Sequence, residues 1–199
     1  MMLIPMDNGQ GNHLKSYGLV YDMLRDGITV YWCLNYRGGS FVAEDSRKHE
    51  LEARVEGIDL QTISTSDWAG ILGTIEENNM EKVTLEKAPE IAVYTPPNKL
   101  PWDDAVTLAL TYADIPYEKV YDREVVTGKL SQYDWLHLHH EDFTGQYSKF
   151  YRSFNHTTWY RRQKMKLEEL AKELGFDKVS ECKKAVALAI RNYVEQGGF

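Results

Sequence analysis

Residues 133–142 read YDWLHLHHED and decide how the rest of this sequence is interpreted. The first half has the apolar residues of a buried strand, and the second half is rich in side chains that bind metals or transfer protons. Because a strand alternates its faces, His137 and His139 share one face and His140 takes the other. In open α/β sheets, ligands bind beyond the carboxyl ends of the strands. The pocket residues predicted from this stretch are His139, His140, Glu141 and Asp142.

Strand and helix patterns alternate along the whole chain. Short apolar or β-branched runs, such as 28–34 and 90–95, are separated by helical patterns that end at glycine. Hairpin signals are few. This order predicts an α/β fold with a mostly parallel, Rossmann- or flavodoxin-like sheet and helices on both faces. A polar link at 76–79 divides the chain into an N-terminal α/β unit, 1–86, and a second α/β unit, 87–199, which we expect to be incomplete.

Four polar loops follow predicted strands, at 7–12, 35–40, 95–103 and 139–146. The carboxyl ends of parallel strands meet at one edge of a sheet, so we expect these loops to line a single pocket. The further pocket residues predicted from them are Asp7, His13, Arg37 and Asp103.

Two of these residues have simpler explanations, which stay open. Arg37 and the amides of Gly38 and Gly39 have the chemistry of an anion cradle, but a tight turn accounts for the same residues. Asp103 is equally well explained as the N-cap of a helix.

A metal site is the main alternative for this histidine-rich strand. His137 and His139 form a His-x-His pair on one face, which is an accepted arrangement for zinc. A catalytic zinc takes three protein ligands, however, and the strand supplies two, with His13 as a candidate third. We therefore expect no bound metal and no cofactor, and we keep a metal-dependent hydrolase using residues 137–142 as the alternative.

Composition restricts the partners. A net charge of −7 argues against a nucleic-acid partner, and no apolar run has the length of a membrane span. The two cysteines, Cys33 and Cys182, cannot build a disulfide framework. No signal peptide is recognisable, which makes the cytoplasm the default compartment, although an exported mature form would look the same.

Several segments together resemble a known group of proteins. They are LIPMD (3–7), NHLK (12–15), NYRGGSF (35–41), LPWDDAV (100–106) and DWLHLHHEDFTGQ (134–146). With these motifs, nearly the whole chain resembles longer bacterial proteins labelled asparagine synthetase B, and its second half is similar to class I glutamine amidotransferase-like domains. The resemblance implies a nucleophilic cysteine on a turn after a strand that would begin at Phe199. No catalytic residue of that family can therefore be assigned to a position of this chain.

The expected function is the amino-terminal part of an amidotransferase-like protein, with a polar pocket and without catalytic competence of its own. A metal-dependent hydrolase and a non-catalytic ligand-binding protein remain the alternatives. The expected partner is a small-molecule ligand. Self-association is also expected, because the sheet edge beside a strand starting at Phe199 would be exposed.

Overall fold

The computed structural model describes residues 1–96, 104–139 and 154–199. Contacts divide the chain into two compact units. Unit 1 is Met1–Ala88 with Ala105–Pro116, and unit 2 is Pro89–Asp104 with Tyr117–Phe199. Relative to the ranges predicted from the sequence, 1–86 and 87–199, residues 87–88 and 105–116 are grouped with the first unit.

Unit 1 is built on a five-stranded sheet of order β4-β1-β3-β2-β5, in which every neighbouring pair is antiparallel. In chain order its elements are β1 (Met2–Ile4), α1 (His13–Arg25), β2 (Val30–Leu34), β3 (Ser40–Ala43), α2 (Arg47–Glu56), β4 (Gln61–Thr62), α3 (Thr65–Glu77), β5 (Glu81–Leu85) and α4 (Ala105–Tyr112). The predicted mostly parallel, Rossmann-like sheet is therefore wrong, and the fold is mixed α/β.

The antiparallel arrangement begins at the turn between β2 and β3. Asn35 and Arg37 have φ angles of 65° and 46°, and both following glycines are also left-handed. Gly38 is required there, because a Cβ at this position would lie 2.3 Å from the carbonyl oxygen of Met6. Left-handed residues reverse a strand within a few positions, as hairpins do. The Gly-Gly pair, interpreted from the sequence as a loop after a parallel strand, therefore forms a hairpin turn.

Two helices cover opposite faces of this sheet. Leu3, Cys33 and Val42 form a buried cluster with Ile71 and Ile75 of α3. On the other face, Tyr17 of α1 packs edge-on against Phe41 at 5.8 Å between ring centroids. Adjacent residues of β3 thus face different helices, as strand alternation requires.

Helix α1 also packs closely against the segment that follows α4. A Cβ on Gly18 would lie 1.9 Å from the carbonyl oxygen of Ala113, so only glycine allows this approach. Lys15 adds an ion pair to Asp114 at 2.5 Å. These contacts explain why residues 105–116 belong to unit 1.

Unit 2 contains a three-stranded parallel sheet of order β7-β6-β8. In chain order its elements are β6 (Ile91–Tyr94), β7 (Glu118–Val120), α5 (Asp122–Val126), β8 (Trp135–Leu138), α6 (Thr158–Glu173) and α7 (Val179–Glu195). Within the described ranges, parallel pairing is confined to this small sheet. In those same ranges, no helix is long and apolar enough to cross a membrane.

Helix α7 packs on one face of the parallel sheet. Ala92 and Tyr94 of β6 and Leu136 of β8 share a buried cluster with Val186 and Ile190 of α7. The positions alternate along β6 as expected for one face of a strand.

Phe199 extends the hydrogen bonding of the same sheet. Its N–H donates to the carbonyl of Asp134 at 3.1 Å, and its carbonyl accepts from the N–H of Leu136 at 2.7 Å. Those two bonds have the pattern of a parallel pair between Phe199 and Trp135. The strand predicted from the sequence to start at Phe199 stays a prediction.

A buried ion pair lies beneath α7. Lys183 Nζ is 2.9 Å from Asp122 Oδ1, and the two residues are 5% and 1% exposed. The hydroxyl of Tyr94 donates to the same carboxylate oxygen at 2.5 Å, and Lys183 Nζ lies 4.7 Å from the ring centroid of Tyr121. The carboxylate therefore has a cation and a hydroxyl donor in place of water, which a buried charge needs.

Replacement of Lys183 by methionine tests how strongly unit 2 depends on this pair. The change leaves a buried carboxylate without its cation, which costs about 3–5 kcal/mol of unfolding free energy. Urea denaturation measures the loss. The matched control is Lys184→Met, because Lys184 is its exposed neighbour on α7; that change stays within about 0.5 kcal/mol of wild type. Equal losses in the two variants would contradict the prediction.

Candidate functional site

The predicted pocket residues fall into three groups. Those in unit 1 are Asp7, His13 and Arg37. Unit 2 contains His139, together with the alternative metal ligand His137. Those outside the described residues are Asp103, His140, Glu141 and Asp142.

The structure brings the unit 1 residues together at one sheet edge. β1 and β2 both pair antiparallel with β3, so their carboxyl ends point the same way. Arg37 Nε donates to Asp7 Oδ2 at 2.7 Å, and His13 Nε2 lies 3.1 Å from the carbonyl oxygens of both Met6 and Asp7. The hydrogen bond from the Arg37 guanidinium lowers the pKa of Asp7 below its ordinary value. Because Arg37 Nη1 also donates to Gln61 Oε1 at 3.1 Å, the guanidinium has protein partners, which favours the tight turn over the anion cradle.

Gln10 fixes the loop that carries Asp7, and the sequence did not reveal it. Its Nε2 donates to the carbonyl of Pro5 at 2.7 Å, and its Oε1 accepts from the N–H of Asp59 at 2.9 Å. The side chain is buried, so it satisfies backbone groups that water does not reach. A glutamine in a polar loop carries no sequence signal for such a role.

In unit 2, the carboxyl edge of the parallel sheet carries an imidazole–carboxylate pair. His137 Nε2 lies 3.1 Å from Asp104 Oδ1, and the two side chains are 18% and 15% exposed. His137 comes from β8 and pairs across the sheet with Val93 of β6. The pair is close enough for a hydrogen bond, and both side chains are partly exposed.

Two buried polar residues continue this edge. Thr95 and His139 directly follow the last strand pair, Tyr94 with Leu138. Both are 2% exposed. The hydroxyl of Thr95 has no hydrogen-bond partner among the described residues, and the N–H of His139 donates to the carbonyl of His137 at 3.2 Å. Buried hydroxyls normally have a partner, so Thr95 marks this edge as a place where a polar ligand atom would be stabilised.

The geometry defines what this pair does chemically. When Nε2–H of His137 donates to the Asp104 carboxylate, Nδ1 presents a lone pair as acceptor. The pair therefore accepts a hydrogen bond from an N–H or O–H group.

Asp104 was not among the predicted pocket residues. The sequence does place two acidic residues, Asp103 and Asp104, after a loop that follows a strand. Helix capping explains Asp103 alone, so the second carboxylate of the pair is available for another role. That second carboxylate is the one signal that would have indicated Asp104.

The metal alternative was assigned to His137 and His139. In the described ranges, three ligand atoms close enough to hold one ion occur at Asp22, His49 and Glu52, and His137 and His139 do not belong to that group. The alternative stays a prediction, because residues 140–142 lie outside the described part of the chain.

Comparison with known proteins yields no match to a protein-family model, to a curated protein or to a solved structure.

The ion pair at the edge of unit 1 predicts a pH dependence. The pKa of Asp7 is lowered in the folded chain, so the pair stabilises the fold above about pH 4 and the contribution is lost as pH falls through the lowered value. Arg37→Gln is expected to raise the pKa of Asp7 towards its ordinary value. NMR titration of the side-chain carboxyl carbon measures this shift, with Arg47→Gln in α2 as the control. An unchanged titration in Arg37→Gln would contradict the assigned cause.

Proposed function

We propose that unit 2 binds a small polar molecule at the carboxyl edge of its parallel sheet, as the ligand-recognition part of an amidotransferase-like protein. The observation that carries this proposal is the partly exposed pair of His137 and Asp104, 3.1 Å apart. Ligands of α/β proteins bind at this edge of a sheet, and the strand register places two different strands there.

The available groups restrict the ligand to one that donates hydrogen bonds. Nδ1 of His137 is an acceptor when Nε2–H is directed to Asp104. The Thr95 hydroxyl both donates and accepts, and has no partner among the described residues. A carboxamide on a small molecule satisfies both, because it carries N–H donors and a carbonyl acceptor. Glutamine and asparagine are small molecules that carry such a carboxamide.

The cysteines of this chain do not suit a glutaminase nucleophile. Both are buried, Cys33 in β2 and Cys182 in α7. Burial raises the pKa of Cys33 to about 11, and burial also raises the pKa of Cys182, with the charge of Asp122 as a smaller cause. A nucleophilic cysteine needs a lowered pKa and an open approach. We therefore propose recognition without turnover for this chain by itself.

Ligand binding is tested by titrating the chain with L-glutamine, L-asparagine, L-glutamate and L-aspartate. The two amides are expected to shift the ring resonances of His137 in NMR spectra and to give the larger heats in calorimetry. His137→Ala and Asp104→Asn are each expected to weaken amide binding by about 10-fold, the value of one charge-assisted hydrogen bond.

The matched control for this titration is His156→Ala, because His156 is an exposed histidine of the same unit. It is expected to bind as wild type does. The proposal is wrong if none of the four compounds binds, or if His137→Ala and His156→Ala bind equally well.

The absence of turnover has its own test. The isolated chain is expected to release no ammonia from glutamine above the level of the Cys33→Ala, Cys182→Ala double variant. Mass spectrometry after incubation with an electrophilic glutamine analogue is expected to show unmodified protein, because neither thiol forms a reactive thiolate readily. Stoichiometric labelling of either cysteine would contradict this prediction.

A further inference from the structure

We propose that Asp22, His49 and Glu52 form a binding site for a divalent first-row transition metal between α1 and α2. Their three ligand atoms lie within 4.8 Å of one another. The site belongs to unit 1 and goes beyond the ligand pocket proposed for unit 2. It also replaces the sequence-based expectation that the chain binds no metal.

Two of the three ligands share one helix face. His49 and Glu52 are three residues apart in α2, and such pairs project side by side. Metal sites in helical proteins use the same i, i+3 spacing of a carboxylate and a histidine. Asp22 completes the group from the last turn of α1, which packs beside α2.

His49 is buried and oriented towards these carboxylates. It is 0% exposed, and its Nε2 makes no hydrogen bond to a described residue. That nitrogen nevertheless lies 3.5 Å from Asp22 Oδ2 and 3.5 Å from Asp26 Oδ2. This nitrogen is thus directed at two carboxylates without a hydrogen bond to either, and when Nδ1 carries the proton its lone pair is available to a cation.

The other nitrogen of His49 has a partner that fixes the ring. Ser46 Oγ is 2.7 Å from His49 Nδ1. Ser46 is the N-cap residue of α2, yet its side chain makes no capping hydrogen bond and contacts the imidazole instead. Histidines that bind metals usually have such a partner on the second nitrogen, which directs the first towards the ion.

The ammonium of Lys48 marks the same place as a cation site. Its Nζ lies 2.6 Å from Asp22 Oδ2 and 2.8 Å from Asp26 Oδ2. The Lys48 side chain is 54% exposed, so it can move into solvent when a divalent ion takes its place. Among the described residues, the ion pairs of Lys48 are with Asp22 and Asp26 and not with Glu52. A metal would neutralise the side of the cluster that Lys48 does not reach.

The donor set indicates the class of metal. One imidazole nitrogen and two carboxylates suit Zn²⁺, Mn²⁺, Fe²⁺ or Co²⁺. Mg²⁺ and Ca²⁺ prefer oxygen ligands alone, so a buried histidine disfavours them. We expect Zn²⁺ to link α1 to α2 and to stabilise unit 1.

The test uses the full chain without a histidine tag, treated with chelator and then titrated with Zn²⁺ by calorimetry. One ion per chain is expected at this site, with a rise in melting temperature, since a ligand that binds the folded state stabilises it.

Glu52→Gln and Asp22→Asn are each expected to lower the affinity by about 10-fold or more, and Ser46→Ala by about 10-fold. Glu50→Gln is the matched control, because Glu50 is on the same helix and pairs with Arg47 instead. It is expected to leave the affinity unchanged.

Lys48→Gln separates a metal site from a closed network of ion pairs. Removing a competing unit charge at contact distance is expected to tighten Zn²⁺ binding by about 5-fold or more. If the cluster exists only to hold Lys48 and a protonated His49, the variant gains no affinity and the proposal is wrong. The His137→Gln, His139→Gln double variant must keep this one ion per chain. Loss of the ion in that variant, or no stoichiometric Zn²⁺ in the wild-type chain, overturns the proposal.

Discussion

The reversal of the chain at residues 35–39 determines how unit 1 is built. Left-handed backbone at Asn35, Arg37 and two glycines returns the chain within five residues, so β3 pairs antiparallel with β2. β1 then pairs with the far side of β3 and points the same way as β2. This brings the backbone of Met6 against Gly38, where a side chain would not fit, and places Asp7 beside Arg37. The antiparallel order of the sheet and the ion pair between Asp7 and Arg37 thus both follow from the turn at residues 35–39.

The sequence predicted strands better than it predicted their direction. The strands around Val93 and Leu136 were recognised from apolar runs, and they are parallel. β3 was missed because it has four residues, all buried, and shows no alternation before the charged helix α2. β5 was missed although its sequence, EKVTL, alternates with Val83 and Leu85 half-buried. The direction in which two strands pair depends on the geometry of the turn between them. The glycines at 38–39 were interpreted as part of a ligand loop, so the antiparallel pairing of β2 with β3 was not predicted.

The candidate sites also depend on contacts between residues far apart in the sequence, which local patterns do not predict. Alternation along one strand identified His137, but its partner Asp104 is 33 positions away, and no local pattern encodes that distance. The contact of Asp22 with His49 between two helices is also long-range in the sequence. The buried pair of Asp122 and Lys183 has no sequence signal either, since both residues look like ordinary surface positions of helices. Sequence reasoning therefore found single residues with reactive side chains, whereas the fold decided which carboxylate each one meets.

Helix α4 belongs to unit 1 although it follows the first segment of unit 2 in the sequence, and this affects whether the two units can be separated. The chain passes between the units at 88/89, 104/105 and 116/117, so unit 1 is not encoded by one continuous stretch. A gene fragment ending at residue 88 would lack residues 105–116. The surface of α1 around Gly18, which packs against Ala113 in the whole chain, would then be exposed. A fragment starting at residue 89 would carry that segment without the helix it fits. Simple end-to-end recombination would separate parts that pack together, so the two units are expected to be inherited and exchanged as one piece.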